Sequence, residues 1–253
     1  MQLLKITEQG RLLYFNQGVD SISIYENDHY RWLMFDNVLQ SLLLKRKPWQ
    51  LVLPHQYILL LPLVFFRPKK ICEFGLGGGN IDRFIKQLDN NIQFCSVELN
   101  NQVIDCFNEF FNPEQLEFTI IHNDAANALF DKSLRQADWF IYDIYQHDNQ
   151  ATNVQMLTSK LVVKALDKNS WLSLNLPDST EPELTHLFEQ LKPVFSEHQL
   201  IMFKVPHFLN IIIHFVPKHF FIVDKLKTDP NSYLSQILKN RGFAYWQQFS
   251  ISM

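Results

Sequence analysis

The spacing of hydrophobic and polar positions changes character along the chain. Residues 21–25 and 30–35 are short runs rich in branched and aromatic side chains. Between them lies Glu26-Asn27-Asp28-His29, which is turn chemistry. The first 45 residues therefore read as strands. Residues 55–65 read as a helix, stopped by Arg67-Pro68-Lys69-Lys70, whose proline cannot continue it and whose charges prefer water. The apolar stretch 51–66 is interrupted by Pro54, His55, Gln56 and Pro62. It is shorter than the roughly 20 residues a membrane span needs, so a buried helix is expected there.

From Lys70 onward, short apolar runs alternate with amphipathic ones. Strands are predicted over 71–75, 94–99, 118–122, 139–143 and 171–176. Helices are predicted over 81–88, 103–111, 125–130, 154–166 and 182–191. Two further strands, 199–204 and 211–215, are joined by a connection too short for a crossover helix, so they read as an edge hairpin. Residues 231–241 read as a last helix capped by Gly242. Strands alternating with helices predict an α/β fold with a parallel sheet covered on both faces. Residues 1–50 are expected to form a β region ahead of a main domain over 51–253.

Composition narrows the class. With 47% hydrophobic and 19% charged residues the 253-residue chain is globular, not disordered. Its 22 Phe predict a core rich in rings. A net charge of −3 gives no basic field for nucleic acid. Three cysteines without a CxxC pair exclude a disulfide framework and a zinc motif, and the nine histidines show no metal spacing. The N-terminus carries Lys5 and Glu8 and no apolar core, so no signal peptide and a cytoplasmic setting are expected. His207 and His214 flank the hairpin and fit either core or surface. Trp246 fits either buried packing or a subunit contact.

The chain has 7 glycines, and four of them fall in Gly75-Leu76-Gly77-Gly78-Gly79, between a predicted strand and a predicted helix. There the backbone must turn tightly and let a ligand approach, or allow close helix–strand packing. No Lys-Ser/Thr follows, which excludes a Walker loop, and Asn80 breaks a GxGxxG fingerprint. The pattern that remains is Glu73, Gly75, Gly77, Gly79. It resembles the first motif of the class I S-adenosylmethionine-dependent methyltransferase superfamily. Glu98 ends the next strand, where an acid can accept from both ribose hydroxyls. Asp124 and Ala125 follow the third strand. The resemblance implies that Asp124 accepts from an adenine amino group and that the following main-chain N–H donates to the ring. Helix N-capping by Asp124 is the plain alternative. The expected architecture is a Rossmann-like class I methyltransferase sandwich: a mostly parallel seven-stranded sheet preceded by a small N-terminal β-hairpin.

Two regions carry a narrower resemblance, to the spermidine synthase family of aminopropyltransferases. Residues 21–41 contain Glu26, Arg31-Trp32-Leu33, Asp36 and Gln40, similar to that family's N-terminal hairpin. By resemblance Gln40 contacts the nucleoside. His55 matches the His of the family's Tyr-His-Glu gate, with Pro54 and Gln56 in place of its neighbours. Asp143 and Tyr145 end the fourth strand. The resemblance implies that Asp143 takes the proton of an attacking amine; Tyr145 offers a hydroxyl or a ring face for a cation, or plain packing. The departures are Gly78, Gln146 and Gln56, each where the family carries an acid, with Asp148 nearby as compensation. The cofactor expected is S-adenosylmethionine or its decarboxylated form, as co-substrate. The function expected is alkyl transfer, aminopropyl or methyl, to an amine or similar nucleophile within a homodimer, with no nucleic-acid or membrane partner. The alternatives are a small-molecule methyltransferase and a non-catalytic nucleoside-binding or dimeric scaffold.

Overall fold

A computed structural model describes residues 9–18, 20–144, 170–177, 180–191, 197–220 and 251–252. The helices predicted over 154–166 and 231–241, and Tyr145, Gln146, Asp148, Gly242 and Trp246, lie outside the described residues.

The N-terminal region is an antiparallel meander of four strands: β1 (Arg11–Asn16), β2 (Ile22–Glu26), β3 (Tyr30–Phe35) and β4 (Val38–Leu44). The expected hairpin is β2–β3, and β1 and β4 flank it. Asn27 makes its turn by accepting from the N–H groups of His29 and Tyr30 at 3.0 and 2.8 Å. Glu26 pairs with Arg31 at 2.6 Å, and Arg31 also donates to the carbonyl of Phe110, tying the meander to the main body. Asp36, at φ 48°, closes the β3–β4 turn and accepts from the Ser21 hydroxyl at 2.7 Å.

The main sheet contains β5 (Lys70–Phe74), β6 (Gln93–Glu98), β7 (Thr119–His122), β8 (Trp139–Tyr142), β9 (Trp171–Leu176), β10 (His198–Lys204), β11 (Ile211–Pro217) and the two-residue β12 (Ile251–Ser252). Its order is β12-β10-β11-β9-β8-β5-β6-β7. The five strands β5 to β9 pair in parallel, whereas β11 is antiparallel to both of its neighbours. The expected hairpin is therefore β10–β11, but its second strand inserts beside β9 and its first lies outside it. The expected count of seven gains β12 as a short eighth strand on β10.

Alternation along each strand divides the core in two. Ile71, Trp139, Ile141, Trp171 and Ile212 face α1 (Pro54–Leu59) and α2 (Asn80–Leu88). Cys72, Phe140, Tyr142, Leu172 and Ile213 face α4 (Ala125–Ala128) and α5 (Glu181–Leu191). Sheets covered on both faces show such continuously apolar strands. α3 (Asn101–Cys106) runs into a π-turn at Phe107–Phe111, and this segment packs on the meander through Ile22, Ile24, Leu33 and Leu43.

The helix predicted over 55–65 is shorter than expected. α1 ends at Leu59 and a 3-10 turn follows at Leu61–Val64. Pro62 has no N–H to give the carbonyl of Ile58, its partner in an unbroken helix. That carbonyl is met instead by His214 Nε2 at 3.1 Å. His214 Nδ1 lies 2.7 Å from the Ser173 hydroxyl, which accepts from Trp139 Nε1 at 2.9 Å. This fixes the tautomer: Nε2 carries the proton and Ser173 donates to Nδ1. His214 is fully buried, and burial pushes its pKa down to about 3, against the opposing pull of the Ile58 bond.

This chain is testable. Ser173→Ala strips the partner from two buried groups, Trp139 Nε1–H and His214 Nδ1. We expect a loss of about 1–3 kcal/mol for each in urea unfolding, with a much smaller loss for a cavity-matched change at an exposed serine.

Candidate functional site

The carboxyl ends of β5 to β9 and the β10–β11 turn open on one cleft of about 650 Å³. β4 and the start of α1 complete it with Gln40, Ser41, His55 and Gln56. Glu73, Gly75, Gly77, Glu98, Asp124, Ala125 and Asp143 line the same cleft. Gln40 donates weakly to the carbonyl of Val38 at 3.5 Å. Of the residues of the glycine turn, Gly78 and Gly79 are not among those lining the cleft, and Tyr145 lies outside the described residues.

The glycine turn is compressed from several sides. Gly75 has φ 98°, and a Cβ there would come within 2.3 Å of the Asp143 carbonyl. Only glycine lets the ends of β5 and β8 approach so closely. Gly79 sits at φ 60° as the N-cap of α2, and a Cβ there would strike the Phe107 ring at 2.2 Å. Gly79 thus serves packing, which explains its place outside the cleft wall. The turn is held by side chains from far along the chain. Ser41 accepts from the N–H of Gly78 at 2.8 Å. Arg83, 3% exposed, donates to the carbonyls of Gly78, Phe111 and Pro48 and to the Asn80 side chain. Burial lowers its pKa to about 10, so it stays charged, with carbonyls as partners.

Glu98 spends one acceptor site of each oxygen on main chain: Oε2 on Leu76 N–H at 3.0 Å and Oε1 on Asn100 N–H at 2.9 Å. Each oxygen keeps a second lone pair for a ligand hydroxyl. Asp124 caps α4 through Oδ1 on Asn127 N–H at 3.0 Å while also lining the cleft. Asp143 accepts from Asn175 Nδ2 at 2.7 Å, and Asn175 Oδ1 accepts from Asn210 Nδ2 at 2.9 Å. Two amides thus orient the Asp143 carboxylate, which lines the cleft. Burial keeps the pKa of His55 below its usual value, partly offset by the Asp143 charge, so His55 is neutral near pH 7.

Glu73 and Asp82 form a buried acid pair, 3% and 1% exposed. The Ser96 hydroxyl lies 3.1 Å from Glu73 Oε2 and 2.8 Å from Asp82 Oδ2. Burial raises both pKa values, that of Asp82 to about 7 and that of Glu73 well above its usual range.

Sequence reasoning missed Ser41, Asn80, Arg83, Asn175 and Asn210, and also Leu99, 57% exposed on the cleft wall. Asn80 carried a signal, as the residue that breaks the dinucleotide fingerprint. It donates to the Leu42 carbonyl at 3.3 Å, binding α2 to β4. No cluster of metal-ligating side chains occurs among the described residues, and no helix among them is long and apolar enough to cross a membrane.

An acid whose pKa is raised in the folded state stabilises that state at low pH, and the benefit is lost as pH rises through the folded value. For Asp82 the window runs from its unfolded value of about 4 up to about 7. Across it the wild-type chain should lose up to about 1.4 kcal/mol per pH unit relative to Asp82→Asn. Denaturant unfolding of both proteins from pH 4.5 to 8 checks this; parallel profiles would remove the pair as a titrating unit.

No family model and no curated protein matches the sequence. Solved structures do match the fold. A spermidine synthase in complex with the transition-state analogue AdoDATO aligns over 92% of this chain and 85% of its own, with a TM-score of 0.64 and 16% identity. A probable spermidine synthase from Corynebacterium glutamicum aligns over 92% and 87%, with a TM-score of 0.68 and 15% identity. Human methyltransferase-like protein 13, in complex with SAH, aligns over 76% and 93%, with a TM-score of 0.54 and 16% identity. Strand order, the added meander and these alignments together give this chain a spermidine synthase-like class I methyltransferase fold.

Proposed function

We propose that the chain transfers an alkyl group from a sulfonium nucleoside to a nucleophile bound beside Asp143. The observation that carries this is convergence. The glycine turn, Glu98, Asp124 and Asp143 come from four strand ends and share one cleft. In the reaction the nucleophile's lone pair forms a bond to the carbon next to sulfur. The carbon–sulfur bond breaks and its electron pair leaves on a neutral thioether. The proton of the attacking amine passes to the Asp143 carboxylate, which Asn175 holds in place. Glu98 would take the ribose hydroxyls and Asp124 the adenine edge, with Leu99 against the base.

The space beside Gly78 favours methyl transfer from intact S-adenosylmethionine as the second reading. Spermidine synthases carry an acid at this position for the aminopropyl ammonium. Here a Cβ would lie 2.8 Å from Ser41 Cβ and 3.0 Å from Phe111 Cδ1. Ser41 and Phe111 fill the room an acid would need, and Gln56 adds no charge. A diamine would leave its ammonium groups short of carboxylates, which is costly in a cleft.

Asp143→Asn should keep stabilisation by S-adenosylmethionine in thermal shift while lowering turnover by about 10²–10⁴-fold. An unchanged variant would favour the binding-scaffold alternative. Gly78→Asp should destabilise the fold by about 1–3 kcal/mol through overpacking and gain no preference for the decarboxylated donor. A stable variant with that preference would show that the space exists.

A further inference from the structure

Resting on the sulfonium-nucleoside reading, the state of Glu73 gives a more specific expectation for that ligand. Glu73 is the penultimate residue of β5, on the face turned to α2, and lines the cleft. Its register partner on β6 is Ser96, fully buried. The Ser96 hydroxyl has one hydrogen and two carboxyl oxygens within bonding distance, from Glu73 and Asp82. One hydrogen cannot serve two ionised acceptors. One of the two acids must supply the second hydrogen, and it does so only when protonated.

The surroundings decide which. Asp82 feels the positive charges of Arg83 and Lys86. Glu73 is raised first by burial, and the charges acting on it are acids: Asp82 from α2, Asp143 from the end of β8 and Glu98 from the end of β6, with only the Ser96 hydrogen bond pulling the other way. The other titratable neighbours bring no positive charge. His55 of α1 is held neutral by burial, and the Cys72 and Cys95 thiols are pushed upward by burial and stay protonated. A protonated Glu73 thus gives its O–H to Ser96 or directly to Asp82, whose pKa a Glu73 hydrogen bond lowers, and the Ser96 O–H goes to Asp82. The Ser96 contact to Asp82, at 2.8 Å, is the shorter of the two.

We propose that Glu73 is a proton-exchanging floor of the cleft: it is neutral while the cleft holds no cation and ionises when a positively charged nucleoside binds. The Glu73 O–H bond breaks, the proton leaves to solvent, and the carboxylate remains facing the sulfonium. The Ser96 hydroxyl stays bonded to one acid. The site then discriminates a cationic donor from its neutral thioether product by a protonation event. The product leaves a carboxylate with no counter-charge, which takes its proton back and weakens product retention.

Titration calorimetry of the full chain in buffers of different ionisation enthalpy reads this directly. With S-adenosylmethionine near pH 7 we expect release approaching one proton per site; with methylthioadenosine, which has no sulfonium, release near zero. Between pH 6 and 8 the affinity for S-adenosylmethionine should rise by up to tenfold per unit, while that for methylthioadenosine stays flat. Glu73→Gln should remove the difference in slope between the two compounds. Binding of S-adenosylmethionine without proton release, or a Glu73→Gln chain that keeps the slope, overturns the inference and leaves the transferase reading standing. Failure of both compounds to bind overturns both. The buffer measurement uses the unaltered chain, so it decides the matter even if the variant does not fold.

Discussion

Close approach at the Gly75–Gly79 turn is the constraint on which the rest of the molecule depends. The turn is pressed between the carbonyl of Asp143, the hydroxyl of Ser41 and the ring of Phe107. Those three groups come from the fourth strand of the main sheet, from the N-terminal meander and from the π-turn after α3. Because no side chain stands in the way, three separate layers meet at one bend, and the space above it becomes the cleft. Arg83 fastens the bend to the π-turn by donating to the carbonyls of Gly78 and Phe111. A guanidinium buried among carbonyls is costly unless nearly all its donors are used, and here they are spread over four acceptors. The bend is thus held by directed bonds rather than by apolar packing alone.

The same logic governs the helix that borders the cleft. Pro62 forces α1 to end early, and the carbonyl it abandons lies deep in the core. A buried carbonyl left alone costs free energy, so the fold brings a histidine from β11 to it. His214, Ser173 and Trp139 then link three adjacent strands of the main sheet to the helix carrying His55 and Gln56. The position of His55 and Gln56 is set by the sheet, not by the short helix itself.

What the sequence made legible was local. Short runs of branched, aromatic and apolar residues located β2, β3 and the parallel strands. The concentration of glycine located the turn, and acids at strand ends located Glu98, Asp124 and Asp143. What stayed hidden depended on distant partners. Ser41 is an unremarked serine until β4 brings it to Gly78, 37 positions away. Asn175 and Asn210 gain meaning only because β9 and the β10–β11 turn lie beside β8. The apolar content of 55–65 favours a helix, but Pro62 lacks the donor that the next helical turn requires, so α1 ends at Leu59.

The amide relay from Asn210 through Asn175 to Asp143 has an evolutionary corollary. The segment that supplies Asn210 also supplies Phe208 and Leu209 to the rim of the cleft, with Leu209 73% exposed. Mutations that reshape this rim also pull on the amide behind it, and through it on the carboxylate. Drift in the shape of the rim and drift in the carboxylate's aim are therefore inherited together. Descendants that retune this segment must change both at once or keep neither.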